Sequence, residues 1–237
     1  VIYHSNIATA KLWYNDQSNS AKEGRLMALK KNSMWLLISY LIVSICSTII
    51  DHYFRTSSSL YYLLTIIGVT GSIAMYFINR QFATYQNWLE KKSVSQQQNL
   101  ILGFGGAVLL LATQQLCFWL ENLILHQTDA SQNTAAMLAI IKHYPIYLLY
   151  VLIAAPIMEE LVFRKVLFGN LVTLTSPFIA GIISCLLFSI VHADGHFLTY
   201  AAIGGMLCWI YAKSGRVQTS MIAHMVMNLI IVMLSFK

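Results

Sequence analysis

Seven stretches of this 237-residue chain are long and apolar enough to be read as passes through a bilayer, whose hydrocarbon core takes about 20 helical residues. They run over about Met34 to Ile50, Leu60 to Ile78, Leu100 to Leu125, Tyr144 to Thr175, Phe178 to Val191, Phe197 to Ala212 and Ser220 to Phe236. The first three read as plain spans. The fourth carries Pro156, Glu159, Glu160, Arg164 and Lys165 and ends at Ser176-Pro177. Splitting it at Pro156 would give eight spans rather than seven. Only 10% of residues are charged against 57% hydrophobic, whereas a soluble domain carries about 25% charged residues and a disordered chain is poor in apolar ones. The expected fold class is all-α, a polytopic transmembrane helix bundle.

The formal charge of +6 serves topology before ligands in such a chain, and no nucleic-acid partner is implied. Lys11, Lys22, Arg25, Lys30 and Lys31 precede the first span, the loop 79–99 adds Arg80, Lys91 and Lys92, and Lys213 and Arg216 fall on the same side. The opposite side holds Arg55, Lys142 and Lys237. The N-terminus is therefore expected in the cytoplasm of a multi-pass membrane protein. No signal peptide is legible, because a long polar stretch precedes Met34. The expected organisation is a polar tail over 1–33, N-terminal spans over 34–143 and a catalytic core over 144–237. Within the loop 79–99, Phe82, Tyr85 and Trp88 recur every three residues, which fits an interfacial amphipathic helix, with a solvated linker as the alternative. Cys46, Cys117, Cys185 and Cys208 lie in apolar runs and read as buried thiols, not a disulfide framework. Gly103, Gly105 and Gly106 read as sites of close helix contact.

An ionisable group inside a span costs on the order of 2.5 to 3.5 kcal/mol on insertion scales, so each needs a reason. Glu159 and Glu160 cannot both ionise comfortably without a cation, a metal or a shared proton. Arg164 lies one turn after Glu160 and can neutralise it, leaving Glu159 for other work. If the helix turns at Ser176-Pro177, Glu160 and His192 sit level in an antiparallel hairpin. His224 reaches a similar depth in the last span, with Asn228 on its face. Two carboxylates, two imidazoles, an amide and a guanidinium in one layer have the chemistry of a hydrolytic site. The bland alternative is an ion-paired polar plug that orients the bundle. Asp194-Gly195 favours a turn between His192 and His196, which argues against that pair as joint metal ligands. His4, His52, His126 and His143 read as solvated, and Ser184 and Ser189 as packing residues. The zinc-helix pattern His-Glu-x-x-His is absent.

Three motifs in this region resemble those of a known family. Glu159-Glu160-Leu161-Val162-Phe163-Arg164 is similar to the Glu-Glu-x-x-x-Arg motif of the CAAX-processing endopeptidase and bacteriocin-immunity proteins (Abi or CPBP), a family of intramembrane proteases. Phe188 to His192 matches its Phe-x-x-x-His, and His224 to Asn228 its His-x-x-x-Asn. The resemblance covers about residues 145 to 236, and Lys165 departs from it where the family commonly has Gly. It implies Glu159 as the water-activating base, Glu160 as its assistant, and His192, His224 and Asn228 as the groups that arrange a water, an oxyanion or a metal. Phe188 would pack and Arg164 supply a structural or substrate-side charge. A divalent metal, zinc before others, on His192, His224 and Glu160 is compatible with this chemistry. The expected function is hydrolysis of a peptide bond near the end of a hydrophobic or lipidated peptide or protein, within reach of membrane lipid. The rival readings are a non-catalytic scaffold or bacteriocin-immunity protein that binds a peptide or membrane partner, and, less favoured, a small-solute transporter.

Overall fold

The computed structural model describes residues 31–82, 84–126 and 131–236. Most of the polar tail 1–33 lies outside them. Eight helices follow in order: α1 (Lys31–Phe54), α2 (Leu60–Phe82), α3 (Gln96–Leu125), α4 (Gln132–His143), α5 (Pro145–Leu171), α6 (Pro177–His192), α7 (Phe197–Ser214) and α8 (Val217–Ser235). No strand occurs among the described residues, and the fold is an all-α polytopic bundle. Five helices, α1, α2, α3, α5 and α8, are long and apolar enough to cross a membrane. The seven expected spans correspond to these five plus α6, apolar but only 16 residues long, and α7.

Pro156 does not split the fourth span. Proline lacks an N–H and its ring collides with the carbonyl one α-turn back, so a straight helix cannot pass through it unchanged. Here the helix widens instead, with the Ala155 N–H reaching back five residues to the Tyr150 carbonyl. A second wide stretch covers Glu160–Phe168, with the Gly169 N–H on the Arg164 carbonyl. Such π-type turns often mark functional sites. The eighth helix is α4, a 12-residue segment where the sequence suggested no element. It is too short to span, and the Ser131 hydroxyl caps its start by accepting the Thr134 N–H.

Along one flank α3 packs on α7 and α8, and α6 packs on α7 and α5. Close approach rests on small residues: a Cβ at Gly103 would lie 2.6 Å from Ile222 Cγ2, and one at Gly106 would lie 2.8 Å from Ile210 Cδ1. Gly105 meets nothing within 4 Å, so the expected contact there is absent. The core gathers on the C-terminal half, around Met158, Leu161, Phe188, Leu207, Tyr211 and Ala223. Helices α1 to α3 leave Leu41, Ile45, Ile66, Ile101 and Val108 exposed, a surface that suits hydrocarbon rather than water. Cys117 and Cys208 are buried, Cys46 and Cys185 half-buried, and all four are free thiols. His52, His126 and His143 are exposed, as expected, whereas His4 lies outside the described residues.

The loop 79–99 is neither an amphipathic helix nor a solvated linker. Apart from the last turn of α2, its regular structure before α3 is a short 3-10 turn over Leu89–Lys92. It is strapped across the end of the bundle by hydrogen bonds. Asn87, fully buried, donates to the Tyr211 hydroxyl at 2.6 Å, the Val94 N–H donates to the Ser214 carbonyl, and Arg216 Nε donates to the Val94 carbonyl. Lys165, the departure from the family pattern, ties the strap to α5: its ammonium donates to the Tyr85 carbonyl and to both oxygens of Glu90 at 2.8 to 3.1 Å.

Candidate active site

Adjacent helical residues point about 100° apart, so two consecutive glutamates cannot face the same space. The bundle uses both directions. Glu160 is fully buried: its Oε1 lies 3.2 Å from Arg164 Nη1 and 3.1 Å from His224 Nδ1. Arg164 has no exposed surface either, and its guanidinium lies over the Phe188 ring at 4.2 Å, a cation–π contact that adds to the ion pair. Glu159 points the other way, into a cavity of about 490 Å³, and keeps 21% of its side chain exposed. Its Oε2 is 3.9 Å from His224 Nε2.

The same cavity is lined by His192, His224, Asn228, Phe188, Tyr200 and Tyr40, and among the described residues Glu159 is the one acidic side chain in its wall. Of the candidate residues, Glu159, His192, His224, Asn228 and Phe188 therefore share one space. Glu160 and Arg164 stand behind it. His224 bridges the two layers, with Nδ1 toward Glu160 and Nε2 toward Glu159.

Backbone chemistry fixes two of these side chains. His192 Nδ1 lies 2.8 Å from the Phe188 carbonyl. A carbonyl can only accept, so Nδ1 carries the hydrogen, and in the neutral ring Nε2 is an acceptor. Asn228 Nδ2 donates to the Val151 carbonyl at 3.1 Å. In the widened turn, the partner five residues after Val151 is Pro156, which has no N–H to give. The break in the α5 ladder thus creates the acceptor that orients Asn228 on α8.

Several participants carried no legible signal. Tyr200 stacks on His192 with ring centroids 4.1 Å apart. Its hydroxyl donates to Asp194 Oδ2 at 3.1 Å, and Ser131 Oγ donates to the same oxygen at 2.6 Å. Partial burial pushes the Asp194 carboxyl up, but hydrogen bonds from Ser131, the His196 N–H and Tyr200 outweigh it and hold the group below its ordinary value. Asn133, on α4, donates to the His192 carbonyl at 2.6 Å. Helix α4 thereby roofs the cavity with Asn133, Thr134, Met137 and Ile140.

The third apolar run is not plain. Glu121 lies within it, almost fully buried, and accepts from His196 Nδ1 at 2.8 Å, the Thr199 N–H at 3.0 Å and the Thr199 hydroxyl at 2.8 Å. Thr199 is in the first turn of α7, so this carboxylate caps that helix from another one. Gly195, at φ 91°, and Ala193, at φ 44°, turn the chain between α6 and α7, and His196 is spent on Glu121 rather than joined to His192.

The proposed metal set does not converge. Glu160 does not line the cavity and is engaged by Arg164 and His224 Nδ1. Among the described residues, no three His, Cys, Asp or Glu side chains are grouped to hold one ion. The carboxylate and imidazoles that do share the cavity are those of Glu159, His192 and His224.

Fold and site define a class, polytopic membrane proteins with a glutamate-histidine layer opening into an intramembrane cavity. Comparison with known proteins finds a likeness over part of the chain: residues 141–230, from the end of α4 through most of α8, match the type II CAAX prenyl endopeptidase Rce1-like family. The membrane peptidase candidate YdiL of Bacillus subtilis (strain 168) is 34% identical over 140 residues, 59% of this chain and 57% of that protein. The membrane-embedded CAAX protease MroQ of Staphylococcus aureus (strain USA300) is 33% identical over 107 residues, 42% of this chain and 43% of that protein. The UPF0177 protein YxdF of Lactococcus lactis subsp. lactis (strain IL1403) is 34% identical over 79 residues, 32% of this chain and 43% of that protein. The matches thus span about half the length of these curated relatives. No solved structure matches the chain.

Proposed function

We propose that the protein is an intramembrane endopeptidase that hydrolyses a peptide bond near the end of a hydrophobic or lipidated peptide or protein. The observation that carries this reading is the position of Glu159: the one carboxylate in the wall of a 490 Å³ cavity, facing an imidazole, while its neighbour Glu160 is neutralised behind it. The family match over residues 141–230 and the similarity to membrane peptidases support the same class.

A water between Glu159 and the imidazoles gives its proton to the carboxylate as its oxygen attacks the scissile carbonyl carbon. The tetrahedral oxyanion takes a hydrogen bond from the second Asn228 amide hydrogen, while Glu160 holds the His224 ring in place through Nδ1. His192, with Nε2 as acceptor, holds the other hydrogen of the water. Collapse breaks the C–N bond, and the proton on Glu159 passes to the departing amine. Glu160 and Arg164 act through His224 and Phe188 rather than on substrate.

The cavity is bounded by α4, by the end of α6 at His192 and by the start of α7 at Thr199, the end opposite the basic strap. With the N-terminus in the cytoplasm by charge asymmetry, it opens nearer the outer face. A span must unwind before its bond meets water, so short tails and peptide precursors fit better than intact helices. The test is cleavage of a pool of lipidated and hydrophobic peptides by detergent-purified protein, with metal content measured on the same samples. E159Q should lose cleavage while remaining folded. Cleavage retained in E159Q rejects the assigned base. A folded wild type that cuts nothing favours the scaffold reading, in which the polar layer only recognises a partner.

A further inference from the structure

A second cavity, of about 220 Å³, lies at the opposite end of the bundle, between the strap and the start of α8. Its wall includes Asn79, Arg80, Glu90, Lys165, Arg216, Val217 and Gln218. The proposed peptidase chemistry uses none of them.

The charges do not balance. The Lys165 ammonium is committed to the Tyr85 carbonyl and the Glu90 carboxylate, which removes one cation and the only anion from the account. Arg80 has no carboxylate within ion-pair reach among the described residues, and Arg216 spends only its Nε, on the Val94 carbonyl. Two guanidiniums therefore face this space in surplus.

Backbone donors add to them. Helix α8 begins at Val217 with no side-chain cap from Arg216. The Thr219 N–H turns back on the Arg216 carbonyl, but the Val217 and Gln218 N–H groups precede any intrahelical acceptor. The positive end of a 19-residue helix thus meets the two guanidiniums. Independently, Asn79 is 95% buried, lines the same cavity, and its Oδ1 has no hydrogen-bond partner among the described residues. A buried acceptor without a donor is costly to keep, which marks this end of the bundle as incompletely satisfied. A ligand that accepts from guanidiniums and amides answers the unpaired donors around this space.

We propose that this cavity is a binding site for a phosphate group, held by Arg80, Arg216 and the N-terminus of α8. Such chemistry comes from a glycerol-phosphate lipid headgroup or from free hydrogen phosphate. Trp88, Phe82 and Trp209 are exposed around this end, and Lys213 lies 5.9 Å over the Trp209 ring. Aromatic and basic side chains at one level mark the headgroup region, which makes the lipid the expected source. Occupancy would clamp the strap to the helix that carries His224.

The experiment is thermal unfolding of the full purified chain in phosphate-free neutral detergent at fixed ionic strength. It is titrated with inorganic phosphate, or with phosphatidylglycerol against phosphatidylcholine in mixed micelles. Wild type should show a saturable rise in Tm with phosphatidylglycerol. In R80Q, which removes an exposed side chain, the apparent affinity should fall about tenfold, the worth of a charge-assisted contact. R55Q, at the other end of the bundle, should behave as wild type. Saturation by inorganic phosphate alone, lost in R80Q, keeps the site and assigns it to the free ion. The absence of a saturable shift with either probe, or equal loss in R55Q and R80Q, overturns the proposal.

Discussion

Replacing Glu160 with Gln should unfold the bundle far more readily than the same change at Glu159, although the two are neighbours. Glu160 and Arg164 have no exposed side-chain surface, and Arg164 sits 3.2 Å from the carboxylate with the Phe188 and Phe163 rings otherwise against its charge. Removing one partner of a fully buried pair leaves an uncompensated charge, at a cost of about 3–5 kcal/mol. Glu159 keeps 21% of its side chain exposed, and its nearest charged partner is the imidazole at 3.9 Å; losing such a contact costs under about 1 kcal/mol. For a chain of this size each kcal/mol moves Tm by roughly 2–4 °C, so E160Q should melt about 10 °C below E159Q. The assay is thermal unfolding in one detergent, followed by loss of helical circular dichroism. The double variant E160Q/R164M, which removes both charges, should recover much of the loss. Equal melting of E159Q and E160Q, or no recovery in the double variant, would refute the partition into a buried charged layer and a working carboxylate.

Other perturbations read other parts of the fold. Gly215 sits at φ 62°, and a Cβ there would lie 2.7 Å from the Lys92 carbonyl oxygen and 2.8 Å from that of Leu89. G215A should therefore destabilise by about 1 kcal/mol or more and loosen the strap, measurable as faster proteolysis within 84–94. E121Q removes the carboxylate that caps α7 and pairs with His196, and a loss of about 1–3 kcal/mol in thermal unfolding is expected. The Asp194 carboxyl is held below its ordinary value of 3.8. A depressed pKa stabilises the fold above the unfolded value and loses that contribution as pH falls through the folded one. D194N should therefore lower Tm at neutral pH and narrow its gap to wild type below about pH 4.

The parts of the site that were legible in the sequence follow from short-range geometry. Arg164 is one turn from Glu160, so the pairing that turns Glu160 inward and leaves Glu159 facing the cavity can be read from spacing alone. Asn228 one turn after His224 is equally local. What escaped depends on contacts across the chain. Tyr200 matters only because α7 returns beside α6 and stacks it on His192. Glu121 is hidden in an apolar run because its partners lie 75 and more residues away. Levelling residues along helix axes places Glu160 beside His192 but does not say which way each points, and Glu160 turns to Arg164 and His224 Nδ1 rather than into the cavity. Pro156 was legible as a break, but its effect, an unpaired Val151 carbonyl answered from α8, needs both helices in place. The strap was misread because three aromatics at helical spacing look the same whether they lie in an interface or over buried polar groups such as Asn87.

The central claim is that Glu159 activates water for direct attack on a peptide carbonyl. A single-turnover cleavage in oxygen-18 water, with enzyme in excess over a peptide selected from the pool and the product read by mass spectrometry, tests it most directly. The account predicts one heavy oxygen in the new C-terminal carboxylate of the first turnover, and no product from E159Q on the same timescale. An unlabelled first-turnover product would mean that an oxygen of the protein itself attacked the carbonyl, and undiminished labelled product from E159Q would place the base elsewhere.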